Sequence, residues 1–132
     1  SDYLLALEMK VDIHEVQPAE FGRIAELTQR TNKCTNGVRC TVSDIKKWVI
    51  YKDVHLYTVT LTDKFSDMGI VGAFGIRNSK LILFSLSCRA LGREIEGRML
   101  NYIQERYRVT GFDFIDTGKN EDIKMLFREI PR

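Results

Sequence analysis

The strongest chemical signal in the chain is the stretch Ser87-Cys88-Arg89-Ala90-Leu91-Gly92-Arg93-Glu94, where a long apolar run gives way to helical periodicity. The first N–H groups of a helix have no partners within it and carry the positive end of its dipole. Gly92 lets the backbone come close to a ligand. Arg89 and Arg93 add charge-assisted donors. Together these features suit a phosphate or pyrophosphate group. The competing reading is a plain strand-to-helix turn with solvated arginines, and one glycine turn does not by itself decide between the two.

Other residues carry weaker signals. Cys88 lies where a thioester would pass, so its thiol is a candidate nucleophile. No histidine is placed by the sequence to activate it, and a lone cysteine ending a buried strand is commonly a small apolar filler. Asp63 and Asp67 form either a proton-transfer pair or the acids of a turn. Asn32 and Arg39 fall in a polar loop, where acceptor binding and loop capping are both open. His14 and His55 read as strand residues on a wet edge, and Trp48 as a core anchor. Cys34, Cys40 and Cys88 lack paired CxxC spacing, which fits a reducing compartment and disfavours a Cys34–Cys40 bridge. Neither histidine stands at zinc-ligand spacing from them, so no metal site is expected.

The elements that position these residues follow from periodicity. Met9, Val11 and Ile13 alternate with polar residues and predict a strand over 8–16. Pro18 suits the first position of a helix. Phe21, Ile24, Ala25 and Leu27 then predict a helix ending near Thr31, before the turn formers of 32–37. Thr41 and Asp44 have capping-box spacing ahead of a helix over 42–51. Strands follow at 54–62, 70–76 and 81–88. The first has one wetter face; the other two are apolar almost throughout, as strands buried on both faces are. They are joined by a connection over 63–69 and a tight polar turn over 77–80. A long helix over 92–107, a strand over 112–116 and a helix over 120–128 complete the order. Three closely spaced strands predict an antiparallel meander, and the crossover from 81–88 to 112–116 predicts a parallel pair. The expected fold is α/β (α+β): a mixed sheet, mostly antiparallel with one parallel pair, and helices on both faces.

Composition bounds the rest. A chain of 132 residues is one domain with enough length to bury a core. Twenty Lys and Arg against eighteen Asp and Glu argue against a dedicated nucleic-acid surface. No apolar run reaches membrane-spanning length. The chain begins with Ser1 and shows no export-type leader, so a cytoplasmic location within a longer product is expected.

The pattern Arg89-x-x-Gly92 between strand and helix resembles the acyl-CoA loop of the GNAT acyltransferase superfamily, Gln/Arg-x-x-Gly-x-Gly/Ala, and the element order is similar to that fold. Three stretches, Arg23 to Asn32, Asp63 to Gly72 and Ser87 to Arg93, together with Lys119-Asn120, resemble the carboxy-terminal domain of FkbH-like proteins over roughly residues 4–128. The resemblance implies an acyltransferase-like domain handling an acyl thioester, on CoA or on the pantetheine of an acyl carrier protein. The setting it implies is the loading of glyceryl-type extender units for polyketide-like biosynthesis, beside a HAD-type phosphatase half. This chain has no Asp-x-Asp phosphatase motif. By the same resemblance, Ser87, Cys88, Arg89, Leu91, Gly92, Arg93 and Asn120 would hold the CoA or phosphopantetheine arm between the strands at 81–88 and 112–116. A strand N–H near Ser87 or Cys88 would stabilise the oxyanion.

Two departures set limits. Glu94 stands where the pattern has a small residue, and either opposes a phosphate or caps the helix. The GNAT fold adds two further strands after its fourth helix, so an exposed edge at 112–116 would be explained by truncation of those strands or by pairing with another copy, a homodimer. The alternative function is therefore a docking module for a carrier protein or neighbouring domain, with a degenerate CoA site and no catalysis.

Overall fold

The computed structural model describes residues 9–64, 66–90 and 94–131. Its elements in chain order are β1 (Lys10–Glu15), a 3-10 turn (Pro18–Glu20), α1 (Phe21–Arg30), α2 (Val42–Trp48), β2 (Val54–Thr62), β3 (Asp67–Arg77) and β4 (Lys80–Leu86). A second 3-10 turn (Cys88–Ala90), α3 (Ile95–Arg106), β5 (Gly111–Phe112) and α4 (Glu121–Phe127) follow. The strands form one sheet in the order β1-β2-β3-β4-β5. All neighbours are antiparallel except β4 and β5, which are parallel.

The sheet's two faces are apolar because each carries its own helices. Tyr57, Val59, Leu61, Phe74, Phe84 and Leu86 pack with Ile95, Met99 and Ile103 of α3 and with Ile123 and Phe127 of α4. On the opposite face Leu56, Ala73, Ile82 and Leu83 meet Phe21, Ile24 and Ala25 of α1 and Ile45 of α2. Trp48 is partly buried against this second cluster. The capping box at α2 forms as its spacing predicts, with the Asp44 N–H donating to Thr41 Oγ1 at 3.1 Å and the Thr41 N–H to Asp44 Oδ2 at 2.8 Å. Asp63 and Asp67 act as turn formers, accepting from the N–H groups of Ser66 and Gly69, each at 2.8 Å.

Three boundaries differ from expectation. β3 begins at Asp67, three residues before the apolar run, because Thr62 of β2 still pairs with it there. α3 begins at Ile95 and ends at Arg106, inside the predicted 92–107. β5 is only Gly111–Phe112, not 112–116, for a reason that lies in the candidate site.

Around the first 3-10 turn, His14 of β1 faces Asp12 through Nδ1 and Glu20 through Nε2, the latter at 2.9 Å. Glu20 also accepts from the Thr58 hydroxyl at 3.0 Å and the Gln17 N–H at 2.9 Å. Burial alone would lower the pKa of His14. The hydrogen bonds and charges of Glu20 and Asp12 outweigh it, and the pKa rises above its ordinary 6.5. Burial would raise Glu20, but its hydrogen bonds with Gln17, His14 and Thr58 hold it below its ordinary 4.5. The His14 contribution to stability is therefore complete below pH 6.5 and is lost as pH rises through its raised value. The Glu20 contribution is complete above pH 4.5 and is lost as pH falls through its lowered value. Urea unfolding should show greater stability at about pH 5.5 than at about pH 9, with the difference shrinking in His14→Gln. Equal pH slopes for the two proteins would refute the assignment.

Candidate functional site

The strand-to-helix junction is built from the end of β4 and the head of α3, the longest helix among the described residues. Ser87 leaves β4 and Cys88–Ala90 form a 3-10 turn, with Cys88 and Arg89 exposed and Ala90 buried. The Ser87 N–H donates to the Val71 carbonyl at 2.7 Å, and Ser87 Oγ accepts from the Arg89 N–H at 3.3 Å. Leu91, Gly92 and Arg93 lie outside the described residues. Glu94 takes the N-cap position of α3 with φ 59°, a left-handed conformation, and its side chain makes no capping hydrogen bond. Of the two readings open for Glu94, capping of the helix by its carboxylate is not the one the structure shows. A left-handed φ costs a residue with a Cβ roughly 1–2 kcal/mol, which gives a backbone reason for glycine here.

The gap beyond β4 is where the structure departs most from the sequence reading. Residues 34–36 enter the sheet between β4 and the chain that follows β5. Thr35 bridges Ser85 in antiparallel sense. The Asn36 N–H donates to the Phe84 carbonyl at 2.9 Å, the Leu86 N–H donates to the Cys34 carbonyl at 2.8 Å, and the Ile115 N–H donates to the Asn36 carbonyl at 2.8 Å. The Asn36 side chain, fully buried, works in both directions. Its Nδ2 donates to the carbonyls of Ile82 at 3.3 Å and Asp113 at 3.1 Å, and its Oδ1 accepts from the Phe84 N–H at 3.0 Å. β5 is short because, beyond the bond from the Asp113 N–H to the Leu81 carbonyl, this wedge takes the pairing positions that residues 114–116 would otherwise fill. The expected lodging of a pantetheine arm between 81–88 and 112–116 is corrected accordingly: the chain's own backbone occupies that space. The amides of Leu86 and Ser87 are both bonded within the protein, so the amide of Ser87 is not a free oxyanion donor.

Asn120 belongs to the same construction. It is buried at the head of α4, and its Nδ2 donates to the carbonyls of Thr35 and Ile115, each at 3.0 Å. Its Oδ1 accepts from the Thr117 N–H at 3.0 Å. Arg39 closes the other side, donating to the Thr28 and Thr31 carbonyls and to Asn32 Oδ1. Of the two roles open for Asn32 and Arg39, loop capping is the one their contacts fill.

A cavity of about 190 Å³ opens between the heads of α3 and α4, lined by Lys33, Cys34, Glu96, Asp122, Ile123 and Leu126. One oxygen of Glu96 is buried without a hydrogen-bond partner among the described residues. Two carboxylates and one ammonium group make this wall net acidic. Unlike charges attract and like charges repel by a few kcal/mol at ~4 Å near a protein surface, so a phosphate gains little here. Burial pushes the Cys34 thiol up, so it stays protonated near neutral pH. Cys34, Cys40 and Cys88 are all free thiols. No cluster of metal-binding side chains occurs among the described residues, and no helix among them is long and apolar enough to cross a membrane.

Comparison with known proteins supports this architecture. Scans against protein-family models and curated proteins gave no match. Solved structures gave many. The chain is similar to a ribosomal-protein-alanine N-acetyltransferase from Brucella melitensis biovar Abortus 2308, at 12% identity and TM-score 0.59, covering 93% of this chain and 92% of that one. It is similar to AAC(6')-Iy solved with a CoA bisubstrate analogue, at 7% identity and TM-score 0.61, covering 93% and 94%. It is also similar to a GNAT family acetyltransferase from Staphylococcus aureus, at 13% identity and TM-score 0.53, covering 80% and 86%. The fold is the GNAT fold.

Proposed function

We propose that this chain is an acyl-thioester-handling domain, working on CoA or on the phosphopantetheine arm of an acyl carrier protein. Its setting is the loading of glyceryl-type extender units beside a HAD-type phosphatase. One observation carries the reading: in a GNAT sheet, the end of β4 meets the head of the longest helix among the described residues, with Cys88 and Arg89 exposed at the join. Arg89, with Arg93 and the amides of Leu91 and Gly92, would hold the phosphate of the arm. Transfer would be direct. The acceptor's lone pair attacks the thioester carbonyl carbon, the carbon–sulfur bond breaks, and the thiolate leaves with the acceptor's proton. Cys88 as a covalent nucleophile is the weaker route, since no base among the described residues is bonded to it.

The wedge of residues 34–36 and the acidic wall favour a second reading, in which the domain docks a carrier protein without transfer. Calorimetric titration with CoA, acetyl-CoA and phosphopantetheinylated carrier protein separates the two. Saturable CoA binding that weakens about tenfold or more in Arg89→Ala, as expected for a lost charge-assisted contact, supports the first. Glu94→Gly should tighten that binding. Carrier binding without a CoA response supports docking alone, and no response to any of the three refutes both.

A further inference from the structure

Two surface patches of opposite character lie on opposite faces of the sheet. The first follows α2. Val49, Ile50 and Tyr51 are exposed, Ile50 by 76%. Lys46, Lys47 and Lys52 stand around them, all exposed and none in an ion pair among the described residues. The nearby acids are largely engaged elsewhere: Asp53 holds Arg77 at 3.1 Å and Asp44 serves the capping box, leaving Glu15 at the rim. Lysines at a helix C-terminus answer its dipole. That explains Lys46 and Lys47 but not an exposed isoleucine beside them. A depression of about 190 Å³ lined by Val16, Val49, Val54 and Leu56 adjoins the patch.

The second patch is the outer face of α4. Met125 is 53% exposed; Glu121, Asp122 and Glu129 stand around it at helical spacing, with the exposed Lys124 and Arg128 among them. The cavity beneath Glu129 adds Glu94 and Glu96, with Arg98 beside them, so carboxylates outnumber cations on this face. The two patches are separate surfaces because α4 packs on one face of the sheet and α2 on the other. The head of α4 lies at the junction end, where Asn120 bonds Thr35, which bridges Ser85.

We infer that the Lys46–Lys52 patch docks on the α4 face of a second copy of this chain. An apolar centre ringed by lysines meets an exposed methionine on a face where carboxylates outnumber cations, which is the complementarity that orients interfaces. Because the two patches are different surfaces of one molecule, the contact is head to tail.

Sedimentation velocity tests this. At an ionic strength of about 0.01 M, where screening reaches only beyond ~30 Å, the average mass should rise with protein concentration up to about 1 mM. Added salt should reverse the rise. Ile50→Glu and Met125→Lys each change an exposed side chain, so both should fold, and each alone should stay monomeric. Mixed, they should form a one-to-one dimer that grows no further, since one working patch remains on each partner. A wild type that is monomeric throughout overturns the inference, and one that is monomeric yet pellets with phosphatidylserine vesicles assigns the lysines to an anionic surface instead. Single variants that associate like wild type, or a mixture that stays monomeric, also overturn it.

Discussion

Replacing Asn36 by Leu should lower stability by about 3–5 kcal/mol, or roughly 4 °C in Tm for each kcal/mol. The side chain is fully buried and bonds four main-chain groups: the N–H groups of Phe84 and Val38 and the carbonyls of Ile82 and Asp113. Leucine has the same branched skeleton with bulkier methyl groups, so the loss would come from stranded polar groups and crowding rather than from a void. Each buried group left without a partner costs about 1–3 kcal/mol. Denaturant unfolding gives the magnitude, and hydrogen exchange gives the location. Exchange at Phe84 and Ile115 should accelerate more than exchange at Leu61, which sits in the β1–β2–β3 part of the sheet. A loss below about 1 kcal/mol would mean that the wedge is held by its backbone alone.

Gly37→Ala should be as damaging, by a different route. Gly37 has φ +85°, a conformation that costs an L-residue roughly 1–2 kcal/mol. A methyl group there would overlap the Ile115 carbonyl oxygen and come within 2.8 Å of its carbon, both backbone atoms that cannot swing aside. A total loss of about 4 kcal/mol or more is expected, with residues 113–116 displaced from the wedge. Gly118→Ala is the control: its φ is +84°, but a methyl group there meets nothing within 4 Å, so only the conformational cost applies. Similar losses in the two variants would show that packing against Ile115 is unimportant.

The sheet was readable from local pattern. β2 spans Val54–Thr62, as the alternation of Tyr57, Val59 and Leu61 with threonines predicts, and the Thr41–Asp44 box forms at its predicted place. The element order followed from strand spacing and the single crossover, and its match to the GNAT fold was a matter of resemblance. The wedge was not readable. Residues 32–37 contain turn formers without periodicity, and their partners are remote: Phe84 lies 48 residues from Asn36, and Asn120 lies 85 from Thr35. Nothing local distinguishes an asparagine that plugs a sheet from one that caps a turn. Asn120 shows the same limit in reverse. A resemblance assigned it to a thioester arm, whereas its amide holds the wedge.

The carboxamide of Asn120 also imposes an order of events on the growing polypeptide. Residues 34–36 leave a ribosome long before Ile115 and Asn120 exist. Until those arrive, the early segment has β4 on one side at most. Contacts this far apart in sequence close late, after loop entropy has been overcome. The last portion synthesised is therefore what locks the first third of the molecule, and a nascent chain stalled before Asn120 should still leave its wedge open to protease.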